Sequence, residues 1–178
     1  VLVQVGANTF DTASISATEV ADIVRCIPLP IYNFHTDADP PATLTGATTP
    51  NYAALGNYDS LEWVSGETTQ KITMGLRVPP DYISTPLLRL VGASNGAVAG
   101  AAETYSVSTY SSSSSISPAI VTETAPAAPQ VTTLTATSVT LTDAGIIAGA
   151  AVRFVFGFTA IDETMHVVSA EFCFTASM

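Results

Sequence analysis

The sequence predicts an all-β fold of two antiparallel sheets packed as a sandwich. Three observations carry that reading. From residue 60 onward, apolar and polar residues alternate in short runs. Turn residues rather than helix-length intervals separate these runs, which excludes parallel βαβ units. Serine and threonine, not charged residues, supply most of the polarity, as in "TYSSSSSIS" (109–117) and "VTTLTATSVTLT" (131–142). Hydroxyl faces of this kind suit strands that pack closely, where a charge would have to be desolvated or paired.

The elements follow in chain order. "SATEVADIVRCIP" (16–28) has two readings. Ser16 and Glu19 form a capping box, and Val20, Ile23 and Val24 a stripe that Pro28 would end, which reads as a helix. The β-branched residues in the same stretch read as a short strand. Residues 28–60 hold five prolines and no sustained period. A structureless loop of that length is uncommon inside a compact domain, so it is expected to be an extended arm. The division is an arm at 1–59 and a sandwich at 60–178.

"LEWVS" (61–65) opens the strands and contributes Trp63. In "QKITMGLRV" (70–78), Ile72, Met74, Leu76 and Val78 face one way and Lys71, Thr73, Gly75 and Arg77 the other. Pro79 and Pro80 then stop the ladder, because they lack amide hydrogens and restrict the residue before them. The chain must leave the sheet there and cross to the other one. "PLLRLVGAS" (86–94) begins the partner strand, with Leu88 and Leu90 inward.

"ETYSVSTY" (103–110), "SPAIVTET" (117–124) and "QVTTLTATSVTLT" (130–142) are the next strands. The last changes phase between Ala136 and Val139, so a bulge or break is expected near Ser138. "AVRFVFGFTA" (151–160) buries Val152, Phe154, Phe156 and Phe158, each worth roughly 1.5–3 kcal/mol when fully buried, and forms the centre of the core. Val155 has the opposite phase and the core does not explain it. "TMHVVSAEFCF" (164–174) closes the fold with Val168, Ala170, Phe172 and Phe174 inward, so Cys173 faces outward.

The length of 178 residues suits one domain that buries about 70% of its unfolded surface. Charged residues make up 11% of the chain, against roughly 25% in ordinary globular domains. The net charge of −10 and five scattered cations exclude nucleic acid as a partner and disfavour an anionic membrane. No apolar run approaches a membrane span, and the first residues carry no signal-peptide pattern. Cys26 and Cys173 stand near opposite ends of the chain with no zinc or redox spacing. Free thiols are the first reading and a disulfide closing a long loop is the second.

Chemistry-bearing motifs are few. "HTDAD" (35–39) offers His35, Asp37 and Asp39 at alternate positions, a pattern that suits a divalent metal, against a solvated loop ended by Pro40 and Pro41. "DETMH" (162–166) sets His166 near Asp162 and Glu163 as an acid–base pair, against a polar turn leading into a strand. "GASNGAVAG" (92–100) lacks the lysine and following helix of a phosphate loop and reads as a turn. Trp63, Tyr52, Tyr58 and Tyr105 suit a sugar-stacking platform, against ordinary packing. No catalytic residue, cofactor or metal is expected.

The order "TQKITMGLRVPPDY", "LLRLVGAS", a hydroxyl-rich middle, "VTLTDAGIIAGAAVRFVFGFTA", the acidic turn "IDE" and a last apolar strand resembles the jelly-roll module of tailed-phage capsid cement (decoration) proteins. Similar modules occur in phage head-fibre and tail-associated proteins. The resemblance covers roughly residues 60–178 and is one of pattern. It implies an antiparallel jelly-roll-like sandwich on the outer capsid surface of a virion, a homotrimer or dimer, with the major capsid protein as partner. The contacts would come from Pro28, Pro30, Tyr32, Phe34, Tyr52 and Tyr58 of the arm and from Val155. The alternative is a binding module, either a fibre or tail domain recognising host surface glycans or a secreted carbohydrate-binding sandwich.

Overall fold

The computed structural model describes residues 23–36, 51–94, 104–111, 121–123, 133–142 and 145–177. Its eleven strands are β1 (Ile23–Leu29), β2 (His35–Thr36), β3 (Asn51–Leu55), β4 (Tyr58–Trp63), β5 (Ile72–Arg77), β6 (Tyr82–Ser94), β7 (Thr104–Ser111), β8 (Val121–Glu123), β9 (Thr135–Thr140), β10 (Ala151–Ala160) and β11 (Met165–Ala176). One sheet runs β3-β4-β11-β6-β9, with β1 also on β11, and the other runs β2-β5-β10-β7-β8. Every pairing among them is antiparallel. The expected sandwich is present.

The core is an aromatic seam between the sheets. Trp63 of β4 packs against Phe156 and Phe158 of β10, with ring centroids 5.5 and 5.2 Å away, and Phe154 meets Phe172 of β11 at 5.5 Å. Tilted and edge-on pairs of this kind add about 0.5–1.5 kcal/mol each beyond their buried area. Ile72, Val78, Leu88, Leu90, Val152 and Phe174 are buried with them, as the alternation requires. Met74 and Leu76 of β5 are half-buried against the same cluster.

The double-proline corner behaves as expected. Val78 makes the last rungs, its amide donating to Ala150 O (2.8 Å) and its carbonyl accepting from Gly149 N (2.9 Å). Tyr82 N then donates back to Pro79 O at 3.2 Å, and β6 begins in the other sheet.

Several expectations need correction. The described residues of the arm are built into the sandwich: β1 pairs with β11 from Ile23↔Ala176 to Leu29↔Ala170, β2 extends β5, and β3 pairs with β4. The division at residue 59/60 therefore falls inside β4. Residues 37–50 of the arm and 16–22 of the helix candidate lie outside the described residues, while 23–28 are strand. Val168 is not a core residue. The pairing of β11 with β6 slips between Val167 and Ser169, so the inward phase passes from Met165 and Val167 to Ala170, Phe172 and Phe174, leaving Val168 as the extra residue. No bulge interrupts β9, which pairs in unbroken register with β6 through Ser138↔Arg89. Cys26 and Cys173 form a disulfide across paired positions of β1 and β11 rather than free thiols. Cys173 does lie on the face opposite Phe172 and Phe174, but it is buried there.

Candidate functional site

The four aromatics suited to a platform separate in the fold. Trp63 and Tyr105 are core residues; the Trp63 indole N–H donates to Gln70 O at 3.2 Å. Tyr52 and Tyr58 belong to the β3–β4 hairpin, whose two-residue turn carries Gly56 at φ +61, a conformation glycine adopts without strain. Register sends their side chains to opposite faces: Tyr52 shares a face with Leu61 and Asp59 shares it with Ala54, whereas Tyr58 pairs with Leu55 on the other.

The partner of Tyr52 is Tyr32, a residue no periodicity pointed to. Pro30 leads into a single 3₁₀ turn, Ile31–Asn33, in which Asn33 N donates to Pro30 O and Phe34 N to Ile31 O. Ile31 and Phe34 plug into the core, and the turn between them thrusts Tyr32 outward, 56% exposed. Its ring lies 5.2 Å from that of Tyr52 at 42°. The Tyr52 hydroxyl donates to Phe34 O at 3.3 Å, which ties the turn to the hairpin. The Asp59 carboxylate beside the Tyr32 hydroxyl raises its pKa above the ordinary tyrosine value, chiefly by favouring the protonated form as an acceptor. The result is one exposed aromatic ring, Tyr32, backed by the half-buried Tyr52, with a carboxylate at its edge.

Of the residues expected to touch a partner, Tyr32 and Tyr52 meet here and Pro30 precedes them in the chain. Pro28, Pro30 and Tyr58 are exposed. Phe34 and Val155 are buried at 0% and 2% exposure, which corrects their reading as surface contacts. Phe34 makes an edge-on contact with Phe156 in the core, and Val155 sits mid-sheet between Thr73 and Ser108.

His166 does not engage Asp162 and Glu163. β11 pairs with β4, so the imidazole meets Ser60 and Glu62: Nδ1 is 3.0 Å from Ser60 Oγ and Nε2 is 3.7 Å from a Glu62 oxygen. The single hydroxyl hydrogen of Ser60 goes to Ala53 O at 3.1 Å, so His166 Nδ1 carries a hydrogen and donates to the serine. Such a serine is not activated for attack, and both side chains are buried. The cluster fastens the hairpin to β11. Desolvation lowers the His166 pKa, with Glu62 opposing.

His35 is exposed on β2, and Asp37 and Asp39 lie outside the described residues. Among the described residues, the cluster with metal-ligand spacing is Cys26, Glu171 and Cys173, whose sulfurs are joined to each other.

No protein-family model and no curated protein matches the chain. Solved structures do. A mutant xylanase 10C from Cellvibrio japonicus, in complex with xylopentaose, aligns at TM-score 0.53 and 9% identity over 83% of this chain and 28% of that one. The CBM22-1–GH10 modules of Clostridium thermocellum xylanase 10B, complexed with xylohexaose, align at 0.53 and 8% over 88% and 28%. A xylan-binding module, CBM15, aligns at 0.51 and 10% over 89% and 99%. The chain is a jelly-roll β-sandwich. It spans little more than a quarter of the two xylanase chains and nearly all of the isolated module, and at these identities the likeness is one of fold.

Proposed function

We propose that this chain is a non-catalytic carbohydrate-binding module that holds a neutral polysaccharide chain on the Tyr32–Tyr52 surface. One observation carries the reading: the exposed Tyr32 ring set against the half-buried Tyr52, braced by the core, with the Asp59 carboxylate beside it. A pyranose offers an apolar face of C–H groups and a rim of hydroxyls. The first packs on an aromatic ring whose side chain loses little entropy on binding, and the second donates to a carboxylate. The β-sandwich shared with a module described as xylan-binding supports the same reading. The disulfide suits work in an oxidising compartment outside the cytosol.

The capsid-surface reading, the first expectation from the sequence, draws no support from the fold neighbours, and two of its expected contacts, Phe34 and Val155, are buried. Affinity electrophoresis in gels containing soluble xylan, mixed-linkage glucan or no polysaccharide tests the proposal. Retardation by at least one neutral polysaccharide is expected, reduced roughly tenfold in affinity by Tyr32→Ala, since one base- or sugar-sized stacking contact is worth about 1–3 kcal/mol. Unretarded migration in every gel would refute it.

A further inference from the structure

We infer that Cys26, Glu171 and Cys173 form a site for a zinc-class metal ion when the Cys26–Cys173 bond is reduced, so that β1 is fastened to β11 either by a bond or by an ion. All three residues lie on the outer face of their sheet. Glu171 and Cys173 flank the inward Phe172 on β11 and therefore share the opposite face. Cys26 stands directly across from Cys173 on β1, and Pro28, which offers no ligand atom, stands across from Glu171. The donor atoms of the three all lie within 4.8 Å of one another.

The spacing suits a tetrahedral ion. Two sulfurs held by one zinc, each about 2.3 Å from it, stand roughly 3.8 Å apart. Side chains directly opposed on an antiparallel pair have Cβ atoms about 4.5–5.5 Å apart, so opened thiols reach that separation by rotation, with the strands left in register. Glu171 adds an oxygen from the same face, and the fourth position is left to water on the exposed side of Cys26. Two soft thiolates select zinc or cadmium over calcium or magnesium, which need several oxygen ligands. Charge is balanced as well. Two thiolates and a carboxylate carry one negative charge more than a divalent ion cancels, and Arg89 of β6, across from Glu171, supplies the missing positive charge 3.4 Å from its Oε2. A carboxylate has two oxygens, so this ion pair positions Glu171 without exhausting it.

The bond opens by exchange with a dithiol. One thiolate of the reductant attacks Sγ of Cys26, the exposed partner, and the bonding electron pair leaves with the buried Cys173. The second thiolate of the reductant attacks the mixed disulfide, which releases Cys26 as a thiolate and the reductant as a cyclic disulfide. The ion then takes the place of the two thiol protons, which pass to solvent. β1 runs through Pro30 into the turn Ile31–Asn33 that presents Tyr32, so the ion keeps that turn anchored while the bond is open.

Titration with cadmium and zinc ions tests this on the intact chain, both oxidised and after reduction with dithiothreitol and desalting under argon. Binding of one ion per chain is expected in the reduced form alone, with thiolate-to-cadmium charge-transfer absorption and release of about two protons per ion at neutral pH. Zinc is expected to raise the thermal midpoint of the reduced chain, which separates a site in the fold from thiols captured in the unfolded state. Glu171→Gln keeps the disulfide, so the variant folds before reduction, and it is expected to lower the affinity roughly tenfold or more. Glu62→Gln, beside His166 on the same sheet, is expected to leave the affinity unchanged. Absence of binding by the reduced chain, equal binding by the oxidised chain, a midpoint that zinc leaves unmoved or lowers, undiminished affinity in Glu171→Gln, or an equal loss in Glu62→Gln would each overturn the proposal.

Discussion

His166 Nδ1 lies 3.0 Å from Ser60 Oγ, and neither side chain is open to solvent. The contact joins β11 to the hairpin that carries Tyr52 and Asp59, so the protonation of one histidine bears on the proposed glycan site. Burial lowers the folded pKa of His166 below the ordinary histidine value of about 6.5. A lowered histidine pKa means that the unfolded chain binds the proton more readily. This contribution is therefore complete above about pH 6.5 and is lost as pH falls through the folded pKa. Denaturation midpoints are expected to fall on acidification from pH 6.5, before the carboxylates titrate, and His166→Asn is expected to flatten that part of the curve. A profile that is the same in the variant would count against the assignment.

The Cys26–Cys173 bond closes a loop spanning 147 residues of sequence and ties β1 to the outer edge of β11. Removing a cross-link of that span from the unfolded ensemble is worth on the order of 2–5 kcal/mol. Urea unfolding with and without reductant is expected to show a loss in this range. An unchanged midpoint would mean that β1 holds by its ladder alone.

Tyr105 is 1% exposed, and among the described residues its hydroxyl has no hydrogen-bond partner. Burial accordingly drives its pKa well above the ordinary tyrosine range. An orphan hydroxyl costs about 1–3 kcal/mol, while the ring still packs on Phe158 at 5.0 Å. Tyr105→Phe is expected to be neutral or to raise stability by about 1 kcal/mol. A loss above that size in thermal unfolding would reveal a partner for the hydroxyl.

The strands after residue 60 were legible because each of them alternates against one buried face. Period-two patterning names Phe154, Phe156 and Phe158 without reference to the partner sheet, and the proline pair names its own corner. It fails where the third dimension decides. The slip at Val168 follows from pairing with β6, not from the composition of β11. The arm looked structureless because β1, β2 and β3 are short and proline-flanked, and the partners of β1 and β2 lie far along the chain. Tyr32 was grouped with the arm's contacts, but its meeting with Tyr52 depends on a 3₁₀ turn and on a hairpin twenty residues later, neither of which has a periodic signature. Val155 has the outward phase that the pattern gave it, yet it is buried, paired between Thr73 and Ser108. The Cys26–Cys173 pairing became visible only with the β1–β11 register.

The account stands most directly on whether saccharide meets protein at the tyrosine pair. Titration of the isotopically labelled chain with xylohexaose, followed by amide chemical-shift changes, locates the contact. Shifts are expected to concentrate at Tyr32, Asn33, Tyr52 and Asp59, to saturate, and to disappear in Tyr32→Ala with the remaining spectrum intact. Saturating shifts confined to other residues, with these four unmoved, would contradict it.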